Sequence, residues 1–154
     1  MKTFEALRKV GWTGRYIAAA LNPAEDELAR VKDDGFHALA ANAMFLEDLP
    51  VHRQMRDAAR GVNLTYPITQ MVEGWVAGMV IEQTLKSVGW PATPEKVLSV
   101  MQTLKVDTKG LRGGPIEWTK TNHFRTRQYY RIYRWDTKKQ GVMRMQDWVT
   151  VDVK

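Results

Sequence analysis

The sequence contains no cysteine, so disulfides and thiolate metal sites are excluded. It also lacks any run of about 18 uncharged apolar residues, the length that a membrane-spanning helix needs. The first residues, Met1 to Glu5, pass at once into an amphipathic pattern, and we expect no export signal in this chain. With 154 residues and 44% hydrophobic content, the chain is long enough to bury a substantial core.

The common catalytic motifs are missing too. There is no Gly-x-Ser-x-Gly elbow, no phosphate-binding Walker loop and no His-Glu-x-x-His pair. The three histidines, His37, His52 and His123, fall in three different predicted elements without metal-ligand spacing. We therefore predict no metal, no cofactor and no enzymatic activity.

A net charge of +6 suits an anionic partner, but lysine and arginine are scattered among seventeen acids. The densest basic stretch, residues 125–139, mixes cationic and aromatic side chains, and two interpretations stay open. Such strands bind nucleic acid by stacking bases and neutralising phosphates, or they simply expose long cationic side chains on the wet face of a sheet. Alternation puts Arg125, Arg127 and Arg131 on one face and Arg134 on the other, which favours the second interpretation.

The first 45 residues alternate helix, strand, helix, strand. A helical face over Lys2 to Val10 precedes an apolar strand at Arg15 to Leu21. Asn22-Pro23-Ala24-Glu25 is a strong helix start, and this helix leads to a second apolar strand over Phe36 to Met44. This alternation predicts a parallel α/β sheet.

In open α/β sheets, ligands bind beyond the carboxyl ends of the strands. The two loops there are residues 20–25 and 42–47. In the first, Asn22 and Glu25 carry the polar groups, although a helix start explains both residues as well. The predicted ligand-binding residues are Ala20, Leu21, Asn22 and Glu25.

The middle of the chain reads as helical. The pattern predicts a helix from Pro50 to Arg60 ended by Gly61, and a longer one from about Pro67 to Ser87. In the longer helix, the predicted core stripe consists of Ile68, Met71, Val72, Trp75, Met79 and Leu85. Thr93-Pro94-Glu95 starts a third helix, whose predicted apolar face consists of Val97, Leu98, Met101 and Leu104.

After a glycine-rich bend at Gly110 to Pro115, the sequence pattern again predicts β-strands. The predicted strands are Ile116 to Trp118, Tyr129 to Trp135 and Val142 to Val153. Residues 136–141 form the connection of a hairpin between the last two.

Three blocks together carry a family resemblance: the opening alternation, the helix Glu73-Gly74-Trp75 to Leu85, and Gly113-Gly114-Pro115-Ile116-Glu117-Trp118 with the terminal hairpin. In order and spacing they resemble the C-terminal part of a type I periplasmic solute-binding protein of the leucine-isoleucine-valine group, the receptors of ABC importers. Trp75 stands where tyrosine is common in that family.

The resemblance implies an α/β chain that is a portion of a two-lobed type I periplasmic-binding fold, with parallel α/β layers and a C-terminal antiparallel hairpin. Residues 1–46 would be the end of the second lobe, 47–112 the helical part of the first lobe, and 113–154 the hinge crossing and terminal hairpin. Family members close two lobes on a ligand around a multi-strand hinge.

The implied function is binding a small organic solute, such as an amino acid, amide or aromatic acid, for a membrane permease, with a periplasmic location. Glu25 would be the counterpart of an acid that meets the ligand ammonium in some amino-acid binders. The family's N-terminal half has no counterpart here, so the expected macromolecular partner is that missing half or further copies of the chain. The alternative function is a self-standing nucleic-acid-binding module using residues 125–139.

Overall fold

The computed structural model describes residues 2–20, 24–124 and 126–153. In chain order the elements are α1 (Lys2–Lys9), β1 (Tyr16–Ala20), α2 (Ala24–Val31), β2 (Phe36–Ala40), α3 (Pro50–Arg60), α4 (Met71–Val88), α5 (Pro94–Met101), β3 (Lys105–Val106), β4 (Ile116–Glu117), β5 (Arg127–Asp136) and β6 (Gly141–Asp152). Two 3₁₀ turns, Phe45–Glu47 and Ile68–Gln70, precede α3 and α4. No helix in these ranges is long and apolar enough to cross a membrane.

The larger sheet has four strands in the order β1-β2-β5-β6. β1 and β2 are parallel, paired from Tyr16 with Phe36 to Ala20 with Ala40, and α2 connects them. β5 runs antiparallel to β2, and β6 returns antiparallel to β5 through the turn at residues 137–140. The parallel pair and the terminal hairpin that the sequence predicts are both present.

Helices α1 and α2 supply the apolar side chains that cover one face of this sheet. Phe4 of α1 and Leu28 of α2 are fully buried against Phe36 and Tyr133. Phe4, Tyr16 and Phe36 form an aromatic group with ring centroids 5.3–6.0 Å apart. On the opposite face of β1, Ile17 is 64% exposed, so the sheet is covered on one side only there.

A second core lies among α3, α4 and the two-stranded sheet of β3 and β4. Its buried residues are Phe45, Val51, Met55, Val72, Val76, Val106, Leu111 and Ile116. The local start and stop signals act as predicted: Pro50 opens α3, Gly61 follows its end, and the Thr93 hydroxyl accepts a hydrogen bond from the Lys96 N–H at the start of α5. The division of the chain into lobes at residues 46 and 112 stays a prediction.

Three predictions about elements are wrong. β2 ends at Ala40 instead of Met44, because the chain leaves the sheet there: the Ala43 N–H donates to the Leu111 carbonyl at 2.8 Å, and Ala43 and Met44 are buried in the connection to α3. Leu85 is half exposed, because the buried side of α4 is set by Val72, Val76 and Thr84. Leu98 of α5 is likewise half exposed.

Candidate functional site

The carboxyl ends of β1 and β2 bring together the two loops in which the sequence predicts a site. Ala20 is the last residue of β1, and Glu25 lies in the first turn of α2. Leu21 and Asn22 lie outside the described residues. The predicted ligand contacts of these four residues therefore stay predictions.

The Glu25 carboxylate connects the two loops. Its oxygens accept hydrogen bonds from the backbone N–H groups of Phe45 and Leu46, at 2.6 and 2.9 Å. Burial raises the pKa of Glu25 above its ordinary value, and the two N–H donors act in the opposite direction. Because both oxygens have backbone partners, Glu25 fixes the loop after β2 relative to α2.

Replacing Glu25 should release that loop. We expect Glu25→Ala to lower the free energy of unfolding by about 1–2 kcal/mol, since two backbone donors lose a cap-like acceptor. Glu25→Gln should lower the free energy of unfolding by less, because its amide oxygen can still accept one of the two hydrogen bonds. Urea denaturation followed by circular dichroism measures the difference, and equal stability of Glu25→Ala and the parent chain would contradict this role.

Next to this loop, Asn42, Glu73 and Arg112 form a polar cluster. The Asn42 Nδ2 donates to Glu73 Oε1 at 2.6 Å, and Arg112 Nη2 donates to Glu73 Oε2 at 3.0 Å. The Arg112 side chain is 5% exposed, whereas that of Glu73 is 44% exposed. Three chain segments thus converge here: the end of β2, the first turn of α4 and the β3–β4 loop.

One acceptor of this cluster, the buried Asn42 Oδ1, has no hydrogen-bond partner among the described residues. A buried acceptor without a partner is costly in a folded protein and calls for an explanation. A donor group on a bound solute would satisfy it.

A groove of about 310 Å³ begins at Glu73 and Arg112. Its remaining lining is mostly apolar and aromatic: Val76, Ala77, Val80, Ile116, Trp118, His123 and Phe124. The volume lies at the lower end of the range of small-molecule sites, and a few polar groups in an apolar lining are typical of them. The arrangement fits a solute with a polar head and an apolar body.

The histidines have separate environments. His52 is buried and stacks on Phe45 with ring centroids 4.6 Å apart, and its Nδ1 accepts from the Leu49 N–H. Burial lowers the pKa of His52, and the charge of Arg56 acts in the same direction. His123 lies within hydrogen-bond distance of Gln102, 3.3 Å between the two Nε2 atoms. Across residues 2–20, 24–124 and 126–153, no group of three His, Asp or Glu side chains could hold a metal ion.

The basic stretch is largely neutralised by acids. Arg131 is buried against Glu47 and Asp147, Arg134 lies near Asp34 and Asp136, and Arg127 pairs with Asp152. Arg125 falls outside the described residues.

Sequence reasoning missed Asn42, Glu73 and Arg112 as a group, although each carried a partial signal. Asn42 opens the second loop at the carboxyl edge, Glu73 begins the helix block of the resemblance, and Arg112 precedes the Gly-Gly pair. Their convergence depends on contacts 31 and 39 residues apart in the chain, which no local pattern shows.

No family model and no curated protein match the sequence. Solved structures do match the fold. An ABC transporter substrate-binding protein from Aeropyrum pernix superposes with a TM-score of 0.66 at 16% identity, over 93% of this chain and 40% of that one. A branched-chain amino acid ABC transporter protein from Thermus thermophilus with bound valine superposes with a TM-score of 0.74 at 16% identity, over 97% of this chain and 42% of that one.

The chain thus spans about 40% of the length of these two structures. At this identity the likeness concerns the fold, and it agrees with the resemblance in the sequence. The protein has the fold of a portion of an ABC-transporter substrate-binding protein.

Proposed function

We propose that this chain is a substrate-binding component, or part of one, of an ABC importer for a small organic solute. The polar cluster of Asn42, Glu73 and Arg112 carries the proposal, because it lies beyond the carboxyl end of β2, where α/β sheets bind ligands. The fold likeness to two substrate-binding proteins of ABC transporters supports it. We infer that a solute places its polar head at this cluster and its apolar body in the adjacent groove.

The chemistry of the cluster narrows the solute class. Asn42 Oδ1 is a buried acceptor, and the Glu73 carboxylate is partly exposed beside it, so an N–H donor on the solute suits this point. Trp118 and Phe124 suit an aliphatic or aromatic side chain at the other end. Apolar amino acids, their amides and aromatic acids combine a polar head with such a body.

In this proposal Ala20, Leu21 and Asn22 contact the solute, as the sequence predicts, and Glu25 positions the loop after β2. The implied partners are a membrane permease and the polypeptide that completes the two-lobed fold, and the implied location is the periplasm. Residues 1–46 and 113–154 would belong to one lobe and 47–112 to the other. The protein would bind and deliver its solute without chemical conversion.

The nucleic-acid alternative receives no support from β5. Arg131 is buried, and Arg127 and Arg134 lie beside carboxylates, so these side chains do not form a continuous track for phosphates.

Chemical-shift perturbation in two-dimensional NMR tests the proposal, because it detects millimolar binding. Valine, leucine, phenylalanine, glutamine and benzoate would each be titrated into the ¹⁵N-labelled chain. We expect at least one of them to shift the Asn42 side-chain amide and the backbone signals of Glu73 and Arg112. Asn42→Ala should raise the dissociation constant of that ligand at least tenfold, because a buried acceptor is lost.

Asn63→Ala provides the matched control, since Asn63 is exposed in the loop after α3. It should leave the dissociation constant unchanged. The proposal is wrong if no probe produces saturable shifts up to about 10 mM, a concentration corresponding to less than about 3 kcal/mol of binding free energy. Shifts that saturate but lie away from the cluster would equally exclude this site.

A further inference from the structure

The outward face of α4 is exposed along its length. Gly74, Gly78, Ile81 and Leu85 recur at spacings of four, three and four residues, which places them on one side of the helix. Ile81 is 58% exposed and Leu85 is 50% exposed. Since Val72 and Val76 are buried on the inner side, α4 is apolar on both sides.

No described part of the chain packs against the open side of Gly74 or Gly78. A Cβ atom added at Gly74 or Gly78 would meet nothing within 4 Å. Glycine in a helix interior is less favourable than alanine, and here no close packing of this chain compensates for it. Their use would be to let another backbone or a large side chain approach the helix.

The face is complementary to itself. Gly74 and Leu85 lie equally far from the midpoint between Met79 and Val80, and so do Gly78 and Ile81. An antiparallel pairing of two α4 helices about a twofold axis at this midpoint therefore sets each large side chain level with a glycine of the other helix. Twofold interfaces require this self-complementarity.

We propose that the outward face of α4 is a homodimer interface, in which Ile81 and Leu85 of each copy fill the space over Gly78 and Gly74 of the other. A groove of about 810 Å³ borders the two glycines and offers room for the incoming side chains. Glu82 flanks the face and is paired with Lys86 at 2.5 Å, so the twofold axis does not bring an uncompensated charge against its own copy. The interface does not depend on the proposed solute-binding function.

The oligomeric state of the purified chain tests this interface. Sedimentation equilibrium should give a dimer whose dissociation constant is on the order of micromolar, as suits a small interface. Gly78→Leu should raise that constant at least tenfold, because it fills the space that Ile81 of the other copy would occupy. Ser87→Leu adds the same side chain at an exposed position of α4 outside the face, and it should leave the dimer intact.

A cysteine cross-link tests whether the two α4 helices are arranged as proposed. The chain has no cysteine, so an introduced thiol can pair only with its copy. Ile81 lies one and a half residues from the midpoint, so the pairing sets it about 4.5 Å along the helix axis from Ile81 of the other copy, within reach of a disulfide. We expect Ile81→Cys to form a disulfide-linked dimer on mild oxidation, whereas Ser87→Cys forms no such link under the same conditions. A monomeric parent chain at millimolar concentration would overturn the proposal and leave the face to another polypeptide. A dimer that Gly78→Leu does not weaken, or that Ile81→Cys fails to link, would also overturn it.

Discussion

Removing the carboxylate of Glu47 should cost about 3–5 kcal/mol of unfolding free energy, the range found when one partner of a buried ion pair is deleted. Glu47 lies in the 3₁₀ turn between β2 and α3, and its side chain is 10% exposed. One oxygen accepts from Arg131 at 2.6 Å and from Arg144 at 3.3 Å, and the other accepts from the Tyr133 hydroxyl. Glu47→Ala would leave a buried guanidinium with an exposed partner only, and a buried hydroxyl without its acceptor.

Asp147→Ala is the matched control, because Asp147 pairs with the same arginine at 2.7 Å but is 70% exposed. Its loss should lower the unfolding free energy far less, because water screens an exposed ion pair. Chemical denaturation monitored by tryptophan fluorescence compares the two variants. If both variants lost the same unfolding free energy, burial would not strengthen the ion pair of Glu47, and the prediction would be wrong.

The Glu47 interactions also have a place in the proposed function. They join β5 to the connection between the two cores, and the Glu25 bonds hold the same connection to α2. Burial and the hydrogen bond to Glu47 raise the pKa of Tyr133, so its hydroxyl stays protonated and keeps donating to the carboxylate. The connection is therefore anchored from two sides, and Asn42, which lies in it, is positioned for the cluster.

The sequence predicts those parts of the fold that depend on neighbouring residues. Pro50, Gly61 and Thr93 mark helix ends by local chemistry, and the observed helices begin and end there. The prediction fails where burial is decided by distant partners. Residues 41–44 look like a continuing strand because three of the four are apolar, but Ala43 and Met44 are buried in a connection. Leu85 looks like core because its spacing fits, yet the described residues leave half of its surface exposed.

The candidate site shows the same limit. The carboxyl-edge rule directs attention to the loop of residues 42–47, and the polar cluster does begin at Asn42. No pattern in the sequence reveals that Glu25 accepts from N–H groups about 20 residues away, or that Arg131 meets a carboxylate 84 residues earlier. Polar partners at such separations are fixed only once the sheet order is known.

Lack of space explains the Gly-Gly pair, Gly113 and Gly114, that forms part of the family resemblance. A Cβ atom at Gly113 would lie 2.6 Å from Trp148 Cγ, and one at Gly114 would lie 2.5 Å from Tyr129 Cζ. Neither glycine has a positive φ, so space and not backbone conformation requires them. They let the segment after Arg112 pass directly against the aromatic side chains of β5 and β6.

Gly114→Ala should therefore destabilise the protein by roughly 2–3 kcal/mol, since overpacking a filled region forces side chains or backbone to shift. Tyr129 is buried, so its ring cannot move into solvent to make room. Gly61→Ala is the control: a Cβ there would have an ordinary contact at 3.5 Å, and its φ of −80° suits alanine, so we expect a neutral or slightly stabilising effect. Thermal and urea denaturation measure both variants, and a Gly114→Ala chain as stable as Gly61→Ala would contradict the steric argument. Because Arg112 lies two residues earlier, the same variant should also shift the Arg112 signals, which links the packing of this crossing to the polar cluster.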